Sequence, residues 1–190
     1  MSFVGDHWIT LAGQDIEQCK LLSGRFAKQQ KQGRWKNKPN NPQFIKNEEA
    51  SFHGYCAEYA FHRYADVEWY TPLIAQDKIW ATRGDCEFGI EIKSAHAPNR
   101  HLLVNRDDHI LKTNRPVVFA LTDILPTVEF VGWITAVNIT LYPGEQITPN
   151  ARYCYLVPQE KLKPIDELLH LIKAWKREKQ IRLESERKSD

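Results

Sequence analysis

The alternation Ile90-Glu91-Ile92-Lys93 constrains this chain more than any other short stretch of its sequence. Successive side chains of a β-strand point to opposite faces of a sheet, so the two isoleucines share one face and Glu91 shares the other with Lys93. A strand that buries its isoleucines must therefore hold a carboxylate and an ammonium group side by side on its other face. Such a pair is either a solvated ion pair or part of a functional site.

A turn must precede this strand if an upstream acidic residue is to join the pair. On a straight strand, Asp85 would lie roughly 20 Å from Glu91 at ~3.3 Å per residue. Gly89 and the short stretch before it permit a tight hairpin that returns Asp85 beside Glu91. Glu87 competes with the preferred Asp85, because a shift of one or two residues in the turn changes which side chain faces the site.

Two close carboxylates repel each other, and the pair becomes favourable when a divalent cation lies between them. Mg²⁺ suits this arrangement because it needs few protein oxygens, keeps several waters and binds phosphate oxygen, and Mn²⁺ is the expected substitute. Lys93 next to the ion would offset charge on a scissile phosphate and help to hold or deprotonate the attacking water. The pattern therefore predicts metal-dependent hydrolysis of phosphodiester bonds.

The apolar periodicity of the chain predicts a mixed α/β fold. Helical repeats indicate helices over residues 14–36, over 48–65 and from Pro164 towards Arg187, and we expect residues 176–190 to be frayed. The order of elements favours a central mixed sheet flanked by helices. Runs rich in β-branched residues predict strands at 78–82, 90–95, 102–105, 117–122, 128–136 and 153–157.

Length and composition indicate one domain, because 190 residues with 42% hydrophobic content can bury a core. We divide residues 1–190 into a basic N-terminal helix and loop (14–47), a catalytic core (48–163) and a C-terminal helix with a charged tail (164–190). The cysteines lack the regular spacing of disulfide-rich scaffolds and of zinc sites. The chain shows neither a secretion signal nor an apolar span of ~20 residues. We expect buried, reduced cysteines and a cytoplasmic protein with no membrane partner and no organic cofactor. The cysteines are Cys19, Cys56, Cys86 and Cys154.

The strongest local charge bias lies in the N-terminal part. Residues 18–47 contain eight Lys and Arg residues and no Asp or Glu, although the net charge of the whole chain is only +2. This segment is either a nucleic-acid contact or a solvated helix face. Among residues after the motif, His96 and His101 are candidates to contact the phosphate or the leaving group, although each is more typical of a surface or hydrogen-bonded strand histidine. Asp107-Asp108 is typical of a turn. The candidate nucleic-acid-binding residues are Lys28, Lys31, Arg34, Lys36, Ser94 and His96.

Asp85, five intervening residues and then Glu91-Ile92-Lys93 resemble the motif of the PD-(D/E)XK nuclease superfamily. An upstream helix that carries Glu58 within His53-Gly54-Tyr55-Cys56-Ala57-Glu58 resembles the GxxxE-type helix of small phage and prophage members. Gly84 stands where the family has a proline, which is not a ligand. The resemblance implies a restriction-endonuclease-like core, with catalytic residues Glu58, Asp85, Glu91 and Lys93 and with the three acidic residues as metal ligands.

Two further stretches, Phe130-Val131-Gly132-Trp133-Ile134 and Tyr155-Leu156-Val157-Pro158, resemble the same phage group. Some of its members replace the motif lysine, whereas this chain keeps Lys93, which favours an active enzyme. The resemblance implies DNA as the partner, host cytoplasm as the location and a homodimer as one possible assembly. An exonuclease, a junction resolvase or an inactive nuclease-fold module that binds nucleic acid or protein remains the alternative.

Overall fold

The most apolar run of the chain, Pro116–Leu121, forms a strand that is buried along its whole length. A strand covered on both faces has this continuous apolar character, so the run marks the centre of the fold.

The computed structural model describes residues 7–33, 43–70, 84–97, 100–146 and 153–187, which form a mixed α/β structure with two sheets. The α-helices in these ranges are α1 (Gly13–Gly33), α2 (Gln43–Ala65), α3 (Ala136–Ile139) and α4 (Ile165–Arg187). The strands are β1 (Trp8–Thr10), β2 (Glu91–Ala95), β3 (Leu102–Asn105), β4 (Pro116–Leu121), β5 (Thr127–Thr135), β6 (Gly144–Gln146) and β7 (Tyr153–Val157).

The larger sheet has four strands in the order β1-β5-β4-β2. Strand β2 runs parallel to β4, while the other two pairings in this sheet are antiparallel. Strands β3, β7 and β6 form a separate antiparallel sheet, in that order. The expected mixed sheet is confirmed, but the expectation of one central sheet is wrong, because β3 and β7 pair with each other rather than with β4.

The two faces of the larger sheet support two apolar clusters. Helices α1, α2 and α4 cover one face, where Ile92, Val118 and Phe130 are buried. The smaller sheet and α3 cover the other face and bury Phe119 and Ile134. The smaller sheet therefore forms a second layer that covers this face, instead of extending the larger sheet.

The predicted helices and strands within the described ranges are confirmed, with boundaries shifted by up to five residues. The short elements β1, β6 and α3 were not predicted, and the expected strand at 78–82 falls outside the residues that the structure describes. The expected fraying is wrong as far as Arg187, because α4 continues to that residue. Side chains of α4 form ion pairs that support its second half: Lys176 with Asp66, Lys179 with Glu87, and Arg182 with Glu186.

The four cysteines are buried and not joined in disulfide bonds, as the sequence predicts. Trp175 of α4 packs against the first apolar cluster, with its ring centroid 5.5 Å from that of Phe88. None of the helices in the described ranges combines the length and the apolar character that a membrane span requires.

Candidate active site

A tight turn between residues 84 and 90 leads into β2. The amides of Asp85 and Cys86 both donate to the carbonyl oxygen of Ile90, at 2.9 and 3.0 Å. Gly84 has a φ of +82°, and a Cβ atom there would lie 2.7 Å from the carbonyl carbon of Gly89. Only glycine tolerates both the backbone angle and this close approach. The local geometry therefore accounts for a glycine at position 84.

The turn places Asp85 beside Glu91. The Asp85 carboxylate accepts a hydrogen bond of 2.7 Å from the Ile92 amide, so it satisfies a backbone donor of β2, the outermost strand of this sheet among the described residues. The Glu91 carboxylate lies close enough to Asp85 to raise the pKa of the Asp85 carboxyl group.

Glu58 reaches the same place from α2. Its Oε2 accepts a hydrogen bond of 3.1 Å from the indole nitrogen of Trp69. Trp69 is itself tied to the turn, because it forms an isolated antiparallel bridge with Cys86. The helix and the turn are therefore connected through one tryptophan next to the acidic residues.

The pKa values of Asp85 and Glu58 are raised by burial and by neighbouring carboxylates. Burial, followed by the nearby Glu91 carboxylate, raises the pKa of Asp85 to about 7. Burial and then the Asp85 carboxylate raise the pKa of Glu58 well above its ordinary value. Asp85 and Glu58 therefore favour the protonated form unless a cation compensates the negative charge.

Lys93 lies on the same face of β2 as Glu91 and makes a different contact. Its Nζ is 3.3 Å from Oδ2 of Asp108. Burial alone would lower the pKa of Lys93, but the carboxylates of Asp108, Glu91 and Asp85 outweigh it and raise the pKa. The ammonium form is thus the favoured form of this side chain.

Two charged residues of the site were not predicted from the sequence. Asp108, expected only in a turn, caps a 3₁₀ helix by accepting from the Ile110 amide and also contacts Lys93. Arg115 places its Nη1 3.4 Å from Oε1 of Glu91. The aspartate in a turn is a helix-cap signal, but nothing in the sequence pairs it with Lys93. Arg115 joins the site through the parallel pairing of β2 with β4, which only the tertiary structure reveals.

Glu87, the alternative to Asp85, faces elsewhere. Its Oε1 forms an ion pair of 2.6 Å with Lys179 of α4, and its Oε2 accepts from the amide of Glu68. Cys86 lies buried next to the acidic residues, and burial followed by Asp85 raises the pKa of its thiol well above the ordinary value. This thiol therefore lacks the thiolate character of a nucleophile.

The structure describes the side chains of three candidate nucleic-acid-binding residues. Ser94 and His96 line a pocket next to Lys93, while Lys28 is exposed on α1. The side chain of Lys31 and residues Arg34 and Lys36 are not covered by the described part of the chain. The structure therefore joins two of these candidates to the site.

The donor set fits Mg²⁺, because Glu58, Asp85 and Glu91 offer carboxylate oxygens, the ligands that Mg²⁺ prefers. Within the described ranges, no three His, Cys, Asp or Glu side chains stand in a ready-made metal-binding arrangement. Each carboxylate has a protein partner instead: the Ile92 amide for Asp85, Trp69 for Glu58 and Arg115 for Glu91. Metal binding would therefore require these side chains to exchange partners.

Comparisons of the chain with protein-family models, curated protein sequences and solved structures gave no significant match. The functional interpretation therefore depends on the residues and their geometry.

Proposed function

We propose that this chain is a Mg²⁺-dependent deoxyribonuclease with a site of the PD-(D/E)XK type, and that it cleaves phosphodiester bonds within DNA strands. The observation that carries the proposal is the 2.7 Å hydrogen bond from the Ile92 amide to Asp85, which holds this carboxylate near Glu91 and Lys93. Glu58 joins them from a separate helix. This combination of acidic oxygens and one ammonium group is the set that phosphodiester hydrolysis by a metal ion needs.

Each side chain has a definite task in this proposal. Glu58, Asp85 and Glu91 would hold the metal ion, which supplies an activated water and polarises the phosphate when it is bound. Lys93 donates a hydrogen bond and offers positive charge to the phosphate oxygens. Its raised pKa supports this task rather than that of a base which accepts a proton from water.

Two neighbours act as positioning residues. Asp108 holds the ammonium group of Lys93 from the 3₁₀ helix that follows β3. Arg115 holds the Glu91 carboxylate, and a Cβ atom at Gly89 of the turn would lie 3.5 Å from the Arg115 guanidinium. These contacts keep the two motif side chains oriented in the absence of substrate.

A cleavage assay on supercoiled plasmid tests this proposal. The wild-type protein should nick or linearise the plasmid in Mg²⁺ or Mn²⁺, and should lose this activity in a chelator. Asp85→Asn and Lys93→Met should each lower the rate by about 10²-fold or more. Glu87→Gln is the matched control, since Glu87 occupies the same turn but pairs with Lys179, and it should remain within a few fold of the wild type.

The proposal fails if neither metal supports cleavage, or if Asp85→Asn and Lys93→Met cleave as fast as the wild type. A cleavage rate that falls equally in Glu87→Gln would show that the turn, rather than the acidic site, determines the result.

A second candidate function is a non-catalytic nucleic-acid-binding module, favoured by the protein partners that all three carboxylates already have. Such a module would bind DNA equally well with and without a chelator. Its affinity would fall steeply as salt is raised, because phosphate contacts release counterions. Metal-independent binding without any cleavage would favour this candidate.

A further inference from the structure

A pocket of about 250 Å³ opens beside β2, next to the acidic site. Lys93 connects the two, because it lines the pocket while its Nζ contacts Asp108. The polar groups of the pocket are basic or neutral, and no Asp or Glu is among its described lining residues. Besides Lys93, the polar lining consists of His53, Ser94, His96, Arg100 and His101.

The imidazole of His53 is held in a fixed orientation. The hydroxyl of Thr122 donates to the Ala95 carbonyl oxygen at 3.2 Å and lies 2.9 Å from Nδ1 of His53. A hydroxyl has one proton to give, so His53 donates from Nδ1 and its Nε2 is left for other partners. Thr122 is fully buried, which makes this a built part of the fold rather than a surface contact.

The ring of His96 lies close to that of His53, with centroids 5.3 Å apart and an angle of 35° between the planes. Burial, and then the nearness of His96, lowers the pKa of His53, while Glu49 acts in the opposite direction. Two neighbouring imidazoles resist joint protonation unless an anion compensates the charge. Arg100 adds permanent positive charge, and none of the ion pairs among the described residues includes it.

We propose that this histidine pocket, bordered by His53, His96, Arg100 and His101, binds a phosphate group of the same nucleic-acid strand that is cleaved at the acidic site. The inference rests on the proposed nuclease function. Arg100 supplies a fork of donors for the phosphate oxygens, and Ser94 supplies a hydroxyl. Leu103 contributes an apolar wall against which the sugar of the nucleotide packs.

The position of the pocket along β2 indicates how many nucleotides separate the pocket from the site of cleavage. From Lys93 to His96 the chain advances about 10 Å at ~3.3 Å per residue. One strand of DNA advances 3.4 Å per nucleotide along the helix axis, so the pocket lies on the order of one to three nucleotides from the scissile phosphate. The pocket therefore fixes the register of the strand relative to the acidic site.

Inorganic phosphate is the direct probe of the pocket. Imidazole NMR signals of the full chain, recorded in a chelator, should show saturable shifts for His53 and His96 as phosphate is added. The pKa of His53 should rise with phosphate, because the anion favours the protonated ring. Arg100→Gln should remove these shifts, whereas Arg177→Gln on the exposed face of α4 should retain them. Absence of saturable shifts in the wild type would overturn the inference.

Binding of a short single-stranded oligonucleotide, followed by fluorescence anisotropy in the chelator, identifies the source of the phosphate. Arg100→Gln should weaken binding about tenfold and reduce the slope of log Kd against log salt by about 0.7. If a strand end supplies the phosphate, removal of the 5′-phosphate should weaken wild-type binding to the same extent. If an internal phosphodiester supplies the phosphate, oligonucleotides with and without the 5′-phosphate should bind equally. Either pattern supports the pocket, and Arg100→Gln binding as tightly as the wild type contradicts it.

These measurements separate the pocket from the nuclease proposal, since neither requires cleavage. Phosphate binding at His53 and His96 without any cleavage would contradict the nuclease proposal alone. Normal cleavage with no phosphate-dependent shift would contradict the pocket alone.

Discussion

At the scale of single residues, Asp85 combines an unfavourable electrostatic environment with a fixed geometry. Its carboxylate accepts from the Ile92 amide, which orients it, while the neighbouring Glu91 and burial disfavour its ionised form. Natural sites often give up stability in this way for a reactive arrangement. Removal of the charge at position 85 should therefore change stability and activity in opposite directions.

The pH dependence of stability tests this view of Asp85. The folded protein holds the Asp85 proton more tightly than the unfolded chain, since the folded pKa is about 7 and the ordinary value is about 4. The stabilisation is thus complete below about pH 4 and is lost as the pH rises through about 7. Asp85→Asn keeps an acceptor for the Ile92 amide but does not titrate. In a chelator, thermal unfolding should show that the wild type loses stability relative to this variant across that window.

At pH 8, Asp85→Asn should be more stable than the metal-free wild type by on the order of 1–3 kcal/mol. Glu87→Gln loses the ion pair with Lys179 and should show no such gain. Added Mg²⁺ should reduce the difference, because it stabilises the wild type only. Equal stability of wild type and Asp85→Asn at every pH would contradict the crowding of the carboxylates.

Much of the site at this scale follows from the sequence. The alternation around Glu91 and the glycines of the turn place two carboxylates and Lys93 together, because β-strand geometry and turn chemistry are local rules. Asp108 and Arg115 could not be predicted as members, since each reaches the site through the packing of another element. Local patterns therefore identify the motif residues but not the side chains that orient them.

At the scale of elements, the turn between residues 84 and 90 determines where Asp85 points. A methyl group at position 84 would overlap the backbone of Gly89 and would require a φ that alanine disfavours. Gly84→Ala should therefore destabilise the protein by about 2–4 kcal/mol. It should also lower cleavage by about 10²-fold, because a small displacement of Asp85 misplaces the reacting groups.

Gly54 on α2 offers the matched control for this prediction. A Cβ atom at Gly54 would meet nothing within 4 Å, so Gly54→Ala should stabilise the protein by about 0.5–1 kcal/mol through the helix propensity of alanine. Chemical denaturation of both variants measures the two effects. A Gly84→Ala variant as stable as the wild type would show that the turn tolerates a side chain.

The sequence predicts the buried side of helix α4 but not the ion pairs of its charged second half. The apolar spacing of Ile165, Leu168 and Ile172 predicts the buried side of the helix, and these residues are buried. The charged sequence that follows resembles a frayed tail, yet Lys176 and Lys179 pair with Asp66 and Glu87 from other elements. Composition does not reveal these tertiary partners, so fraying was expected where the helix continues.

At the scale of the whole molecule, the larger sheet separates two apolar layers. Periodicity predicts which residues are buried, but not which element covers them, and for this reason the second sheet was not foreseen. Strands β3 and β7 are apolar runs, and their sequences do not indicate which sheet they join. Their separate pairing positions Asp108, after β3, next to Lys93 of the larger sheet.

Phe119 tests whether the second layer contributes to the stability of the site. Its side chain is 1% exposed in the cluster between the sheets. Phe119 of β4 is also the register partner of Lys93 in β2. Phe119→Ala should lower the free energy of unfolding by about 3–5 kcal/mol through loss of packing and formation of a cavity. Ile124→Ala, at a side chain that is 72% exposed, should change stability by less than about 0.5 kcal/mol. Equal effects of the two substitutions in denaturant titrations would contradict the two-layer core.

The most direct test of the metal site is a crystal of the protein soaked in Mn²⁺ and measured at a wavelength where manganese scatters anomalously. We predict an anomalous peak among the carboxylates of Glu58, Asp85 and Glu91, and its disappearance in a crystal of Asp85→Asn. An anomalous map with no peak at these side chains, or with a peak that persists in Asp85→Asn, would contradict the proposed metal-dependent site.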